Sequence, residues 1–289
     1  GKVLTTTMRR FWDMRDPWVQ EYLTDKVINF LNKYDFEYLK MDYNDTIGVG
    51  CDGAESIGEG LRQNMAEAFS FVQKIKENVP DIILENCASG GHRLEPSMMR
   101  TCSMASFSDA HECPEIPVIA ANLHRTILPR QSQIWAVIRN DDSNKRIAYS
   151  IAATFLGRMC LSGDVTRLEK SKWDVIDKGI EFYKKISHII KDGYTSWFGS
   201  ELESYRHLKG WQGILRTGKD GSAYAVYHIF DGRLPDECRV ELAKHGDYHI
   251  ETVYSDSEVD IRIEGDSLIY KPDDNWKAVA VLLTKNNNQ

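Results

Sequence analysis

The pattern of apolar residues changes near residue 193, and this change constrains the possible fold more than any other feature. Before it, short apolar runs typical of buried strands alternate with longer segments in which apolar residues recur at helical spacing. Strands that alternate with helices predict βα units and a parallel sheet. After it, short alternating runs follow one another, separated by hairpin turns such as residues 218–221. This second pattern predicts an antiparallel β-sandwich.

The two patterns predict two domains, an α/β domain over residues 1–192 and a C-terminal β-sandwich over residues 193–289. A closed (β/α)8 barrel usually takes about 250 residues, more than the first domain provides. We therefore expect the C-terminal portion of a TIM-type barrel, with about five to six strands present. An open parallel sheet is the alternative. The strands of the βα units are expected at residues 38–44, 81–87, 104–108, 134–138 and 159–161.

Composition and charge exclude several classes of function. The net charge is −7 and no block of basic residues is present, which argues against nucleic acid and anionic membranes as partners. No apolar run approaches the ~20 residues of a membrane span, and no signal peptide is visible. The six cysteines include no Cys-x-x-Cys pair. Reduced thiols in a cytoplasmic protein, without a metal or another cofactor, are therefore expected.

Polar side chains cluster at the ends of three of the expected strands. Lys40, Asp42 and Asn44 end the first strand, and their period of two places them on the same face. The sequence Cys-Ala-Ser-Gly-Gly-His-Arg at residues 87–93 follows the second strand, and Ser-Asp-Ala-His-Glu at residues 108–112 follows the third. Side chains at the C-terminal strand ends of one barrel converge on a single pocket. The sequence therefore predicts an active site built from these three segments.

Two carboxylates presented in this way are what glycoside hydrolysis requires. Asp42 lies two residues from Lys40, and a neighbouring ammonium favours the ionised carboxylate that a nucleophile needs. A different environment around Asp109 would let that carboxyl act as the acid. Each residue alone also has an ordinary explanation, such as a strand-end ion pair or a helix N-cap. The occurrence of all three motifs in this order along the chain is more specific evidence for an active site than any single residue.

The three motifs resemble those of the family 36 glycoside hydrolases, the α-galactosidase group, over about residues 10–190. The nucleophile motif of that family is similar to Lys-Trp-Asp-x-Asn, and its second motif is similar to Cys-(Ser/Ala)-x-Gly-Gly-x-Arg. Its acid/base motif, Ser-Asp-(Asn/Asp)-x-(Asp/Glu), is matched in part. In the family a β-sandwich follows the barrel, while a large β domain and the first barrel strands precede the motifs.

The resemblance implies a retaining exo-glycosidase that hydrolyses terminal α-linked galactose. Asp42 would be the nucleophile that forms a covalent glycosyl-enzyme, and Asp109 would be the general acid/base. The substrate would be an oligosaccharide or glycoconjugate with a terminal α-galactosyl-type sugar, and no cofactor is implied. The residues implied to bind or orient the sugar are Lys40, Asn44, Cys87, Gly90 and Arg93.

The sequence departs from the family pattern around the sugar pocket. Met41 replaces the usual tryptophan, His92 replaces a glycine, and Ala110 and His111 alter the acid/base loop. These changes leave open an α-N-acetylgalactosaminidase. A transglycosylase of the raffinose-synthase kind would share the same carboxylate pair, and the missing strands make a non-catalytic carbohydrate-binding fragment a third alternative. Too few strands for a closed barrel also predict that the chain is part of a larger unit, through a homo-oligomer or association with an N-terminal part.

Overall fold

The protein is described here by a computed structural model. The chain divides into two compact units, residues 1–109 and residues 110–289. The first unit holds the three strand ends that carry the motifs. The second holds the remaining βα units and the antiparallel sheets. The structure describes residues 3–5, 10–110, 114–202, 204–242 and 247–285.

The first unit is built on three parallel strands. A short antiparallel pair, β1 (Val3–Thr5) and β2 (Arg10–Trp12), opens it. The next elements are α1 (Pro17–Leu23), a π-helical turn (Thr24–Asn29), α2 (Phe30–Tyr34), β3 (Tyr38–Asp42), α3 (Ile57–Asn78), β4 (Ile83–Cys87), α4 (Pro96–Met99) and β5 (Met104–Ser106). β4 pairs in parallel with both β3 and β5. The C-terminal ends of these three strands therefore meet at one edge of the sheet.

The helix before β3 starts at Pro17 but is not continuous. Asp16 caps it, because the Asp16 side chain accepts a hydrogen bond of 3.0 Å from the amide of Trp18, and Pro17 fills the first helical position. The hydroxyl of Thr24 donates to the carbonyl of Gln20 at 2.6 Å, at the point where the π-helical turn begins. Such back-bonding of Thr to the preceding turn often bends a helix.

The helix after β3 begins at Ile57. The Ser56 hydroxyl caps this helix by accepting a hydrogen bond of 3.1 Å from the backbone of the third helical residue. The glycines at its start suggest a loop in the sequence, but Gly60 serves close packing. A Cβ there would lie 2.1 Å from the carbonyl oxygen of Cys51.

The second unit continues the alternation of helices and parallel strands. Its first elements are α5 (Ile116–Leu123), β6 (Ser132–Ile138), α6 (Asn144–Thr154), β7 (Arg158–Gly163) and α7 (Lys170–Asp192). β6 pairs in parallel with β7, so the described residues contain five strands of the parallel type. Of the helices in this described part, none is both long and apolar enough to cross a membrane.

From Tyr194 onward the strands are antiparallel and form a sandwich. They are β8 (Tyr194–Gly199), β9 (Trp211–Thr217), β10 (Ala223–Ile229), β11 (Cys238–Glu241), β12 (Tyr248–Tyr254), β13 (Asp260–Glu264), β14 (Ser267–Lys271) and β15 (Ala278–Lys285). One sheet has the order β12-β15-β10-β9-β8 and the other β11-β14-β13. Their facing apolar side chains, including Tyr227, Val240 and Tyr270, form one core. The sequence prediction missed β8 as a strand, because much of that segment is exposed. A domain boundary at residues 192 and 193 stays a prediction.

Arg216 on β9 ties the sandwich to the end of α7. Its side chain is 2% exposed, and its guanidinium donates to the carbonyls of Ile189, Ile190 and Gly193 at 2.7–3.3 Å and to the Thr195 hydroxyl at 2.6 Å. The last carbonyls of a helix lack partners within the helix and carry its partial negative charge. A cation supplied by the sandwich therefore satisfies the C-terminus of α7.

A buried histidine, His228, and a partly buried one, His124, predict how the stability of the second unit depends on pH. Burial lowers the pKa of His228 to about 3 and that of His124 to about 4. In the unfolded chain both rings bind a proton near pH 6.5. The native state therefore binds fewer protons below that pH, so stability that is present above pH 6.5 is lost as the pH falls toward 4 and below.

We expect the free energy of unfolding of His228→Phe to fall less than that of the wild type between about pH 6.5 and pH 4.5. The difference should be about 2 to 3 kcal/mol, since each pKa unit corresponds to ~1.4 kcal/mol. Urea denaturation at the two pH values measures it, and His249→Phe at an exposed position is the control. An equal fall in wild type and His228→Phe would contradict a neutral, buried His228.

Candidate active site

β3 presents two of the candidate residues on one face. Lys40 and Asp42 are exposed, while Leu39 and Met41 alternate with them and pack against the core between the sheet and the helices. Successive side chains of a strand point to opposite faces. The predicted shared face of Lys40 and Asp42 therefore follows directly from the strand that the sequence forms.

The register of β3 and β4 brings Cys87 beside Asp42. The parallel pairing aligns Asp42 with Cys87 and Lys40 with Glu85. Burial raises the pKa of the Cys87 thiol, and a hydrogen bond with Asp42 raises that pKa further, while the Lys40 ammonium lowers it. Cys87 therefore stays a neutral thiol, which can donate to a carboxylate. Asp42, Lys40 and Cys87 form one cluster at the end of the sheet.

Asn44 links Asp42 to the turn that follows β4. Its amide nitrogen donates to Asp42 Oδ2 at 3.3 Å. Its amide oxygen accepts from the backbone amide and from the hydroxyl of Ser89, each at 3.2 Å. Two donors on the oxygen side fix which way the amide points. Asn44 therefore presents its nitrogen to the Asp42 carboxylate.

The glycine turn after β4 lies against the backbone that carries Asp109. Gly90 has a φ of +79°, and a Cβ there would lie 2.6 Å from Ser108 Cα and 2.9 Å from the Asp109 amide nitrogen. Only glycine combines this left-handed φ with so close an approach. Asp109 itself is exposed, three residues after the end of β5. Because β4 separates β3 from β5, Asp42 and Asp109 follow strands that are next-but-one neighbours.

Arg93 lies at the other side of the same turn. Its guanidinium stacks over the Tyr43 ring at 4.1 Å, and its backbone carbonyl accepts a hydrogen bond from the side-chain amide of the buried Asn86. Burial raises the pKa of Tyr43, so that its ring stays neutral under the cation. Arg93 therefore anchors the turn through Tyr43 and Asn86.

A cavity of about 710 Å³ lies beside β3, and two of the predicted site residues, Asn44 and Arg93, line it. It is mostly apolar, and Leu39 and Met41 of β3 form part of its wall together with Phe71 of α3. Lys40, Asp42 and Cys87 do not line it. Successive side chains of β3 point to opposite faces, so Leu39 and Met41 line the cavity while Lys40 and Asp42 do not. Asn44 connects the two, because it lines the cavity and donates to Asp42.

The structure adds one charged residue that the sequence analysis missed. Glu85 on β4 is 1% exposed, and its carboxylate lies 3.2 Å from the Lys40 ammonium. It also accepts a hydrogen bond of 2.7 Å from the Ser106 hydroxyl and one from the Tyr38 hydroxyl. A carboxylate inside a buried strand was a visible signal in the sequence. Its pairing with Lys40 depends on the strand register, which no local pattern reveals.

Part of the predicted acid/base loop, including His111 and Glu112, lies outside the described residues, which omit residues 111–113. Within the described ranges, no group of three or more His, Cys, Asp and Glu side chains is arranged to hold a metal ion. The arrangement that is described can supply two carboxylates, an ammonium, a thiol and an amide at one edge of the sheet.

Substitution of Gly48 and of Gly90, which have nearly the same φ, tests whether the turn after β4 positions Asp109. Gly48 has a φ of +80° but nothing within 4 Å of a Cβ, whereas a Cβ on Gly90 meets the backbone of residues 108 and 109. Both alanine variants carry a left-handed φ that costs of order 1 to 2 kcal/mol. We expect Gly90→Ala to destabilise the chain more than Gly48→Ala, and to shift the amide NMR signals of Ser108 and Asp109.

Urea denaturation and amide NMR spectra of the two variants measure these differences. Equal destabilisation with unshifted signals for residues 108 and 109 would mean that the turn does not hold that backbone.

Comparison with known proteins gives one family and a consistent set of structures. The family described as Melibiase matches residues 3–193. Among curated relatives, α-galactosidase AgaA of Geobacillus stearothermophilus is 20% identical over 195 residues, which are 61% of this chain and 25% of that protein. The chain thus spans about a quarter of the length of this relative.

Two solved structures of the same Geobacillus stearothermophilus enzyme, described as a family 36 α-galactosidase, match nearly the whole chain. One, in complex with 1-deoxygalactonojirimycin, has a TM-score of 0.79 at 16% identity and covers 96% of this chain and 39% of that chain. The other, in complex with raffinose, has a TM-score of 0.77 at 16% identity with the same coverage. This likeness confirms the predicted fold class, a barrel portion followed by a β-sandwich.

Proposed function

Because the chain belongs to the melibiase family, as the motif resemblance predicts, we propose that it supplies the catalytic centre of a retaining α-galactosidase. Asp42 acts as the nucleophile and Asp109 as the general acid/base. The observation that carries the proposal is the placement of the two carboxylates after β3 and β5, with the Gly90 turn packed against the Asp109 backbone.

In the first step of the proposed reaction, Asp42 attacks the anomeric carbon of the sugar. The glycosidic bond breaks, and its oxygen leaves with a proton from Asp109. A covalent galactosyl ester on Asp42 remains. Water then attacks the anomeric carbon while Asp109 takes its proton, so two inversions give net retention. The Cys87 and Asn44 groups that contact Asp42 orient this carboxylate for the attack.

The substrate class follows from the relatives and from the polar groups at the strand ends. The raffinose complex of the Geobacillus stearothermophilus enzyme supports a terminal α-galactosyl sugar. Lys40 and the backbone of Gly90 lie where they can bind sugar hydroxyls beside Asp42, and Arg93 supports the turn through Tyr43. Since Met41 and His92 depart from the family motifs, N-acetylgalactosamine remains the competing sugar.

We expect the chain, assembled in the larger unit predicted above, to hydrolyse para-nitrophenyl α-galactoside faster than the corresponding α-N-acetylgalactosaminide. Asp42→Ala should lower kcat by a factor of about 10³ or more, because the covalent step loses its nucleophile. Added azide should restore part of the activity by replacing the carboxylate. Asp45→Ala, which removes an exposed carboxyl three residues away, should leave kcat within about twofold.

Initial rates with both substrates, measured for wild type and the two variants, give the answer. Retention of more than about a hundredth of the wild-type kcat in Asp42→Ala would show that another group is the nucleophile. Faster turnover of the N-acetylgalactosaminide would identify N-acetylgalactosamine as the preferred sugar. No turnover of either substrate by the wild-type chain assembled in its larger unit would contradict the proposed function.

A further inference from the structure

Glu85 is a buried carboxylate within the sheet that carries the active-site candidates. It lies on β4 two residues before Cys87, on the same face of the strand, and directly opposite Lys40 in the parallel register. Only 1% of the residue is exposed. Burial raises the pKa of the Glu85 carboxyl, while the hydrogen bond from Ser106 lowers it, so an ionised carboxylate at this depth depends on pairing and hydrogen bonds. The groups that pair with Glu85 and hydrogen-bond to it therefore indicate what this carboxylate does.

Three side chains from neighbouring strands meet the Glu85 carboxylate. The Lys40 ammonium lies 3.2 Å from Oε1, and the Ser106 hydroxyl donates to the same oxygen at 2.7 Å. The Tyr38 hydroxyl donates to Oε2. Tyr38 and Lys40 come from β3 and Ser106 from β5, so all three strands contribute. The two hydroxyls fix the orientation of the carboxylate, and the carboxylate in turn fixes the ammonium.

Lys40 therefore has two carboxylates within its reach along one face. Glu85 is opposite Lys40, and Asp42 is the next residue on that face, beside Cys87. The influence of Lys40 on the Cys87 thiol places the ammonium near the cluster around Asp42. A lysine side chain loses rotamer entropy when its head group is fixed. An ion pair with a rigid, buried partner is one way to hold its head group in place.

We propose that Glu85 is the positioning residue of the active site, which holds the Lys40 ammonium at the sugar-binding face and away from direct closure on Asp42. The inference deepens the proposed function and rests on it for its kinetic consequence. Glu85 touches neither the sugar nor the reacting atoms and acts through Lys40. A lysine without this anchor would sample many rotamers, and some of them would pair with the nucleophile instead of the sugar.

The first measurement needs no activity. Proton–nitrogen NMR of the lysine ammonium groups reports whether one of them is held in a stable ion pair, because pairing slows proton exchange. We expect a slowly exchanging signal in the wild type that disappears in Lys40→Met, which assigns it. The same signal should be lost in Glu85→Gln and retained in Glu37→Gln, where an exposed glutamate just before β3 is replaced.

The second measurement is kinetic. Glu85→Gln keeps the size of the side chain and one acceptor for Ser106 but removes the charge that holds Lys40. We expect KM for raffinose to rise by about tenfold and kcat to fall by less, because the loss falls on sugar binding. Glu85→Asp should recover part of the loss. Ser106→Ala, which frees the carboxylate without removing its charge, should change KM in the same direction by a smaller factor.

A double-mutant cycle separates positioning from a merely structural role. If Glu85 acts through Lys40, Glu85→Gln should add nothing on the Lys40→Met background. A kinetic loss of equal size on both backgrounds would overturn the proposal, as would a Lys40 signal that is unchanged in Glu85→Gln. The two proposals can also fail separately. If the Lys40 signal is lost in Glu85→Gln but the assembled wild-type protein shows no galactosidase turnover, the anchoring of Lys40 is supported and the proposed function is refuted.

Discussion

The parallel register of β3 and β4 is the constraint on which the candidate site depends. It aligns Lys40 with Glu85 and Asp42 with Cys87, so that a charged pair and a carboxylate–thiol pair occupy successive rungs of one face. A shift of one residue in β3 would turn Lys40 and Asp42 toward the helices and bring Leu39 and Met41 to the open face. The apolar packing of the other face therefore also selects the face that carries the candidate catalytic residues.

The candidate site also depends on the turn that follows β4. Ser89 and Gly90 both have positive φ values, and this conformation lets Ser89 bind Asn44 while Gly90 approaches the backbone next to Asp109. The turn thus connects the end of β3 to the end of β5. Strain stored in such a turn is acceptable where the surrounding contacts determine it. One short segment can in this way set the relation between the two carboxylates.

Much of the fold and of the site can be predicted from the sequence, and the exceptions have physical reasons. The strand ends at Asp42 and Cys87 follow from apolar runs that stop in polar clusters, so each candidate is found on the expected strand or turn. The exposed strand β8 has no clear alternation, and the helical start at Ile57 is hidden by glycines that serve packing. Glu85 is not predicted from the sequence, because its role depends on its pairing with Lys40 on the neighbouring strand.

The central claim is that Asp42 forms a covalent bond with the sugar. A fluorinated α-galactosyl fluoride that forms the glycosyl-enzyme faster than water removes it would trap that state. Peptide mapping by mass spectrometry should then find one fluorinated hexosyl group on the peptide that contains Asp42, and none in Asp42→Ala. An adduct on Asp109 or on any other carboxylate, or release of the β-anomer as the first product of an ordinary galactoside, would contradict the account.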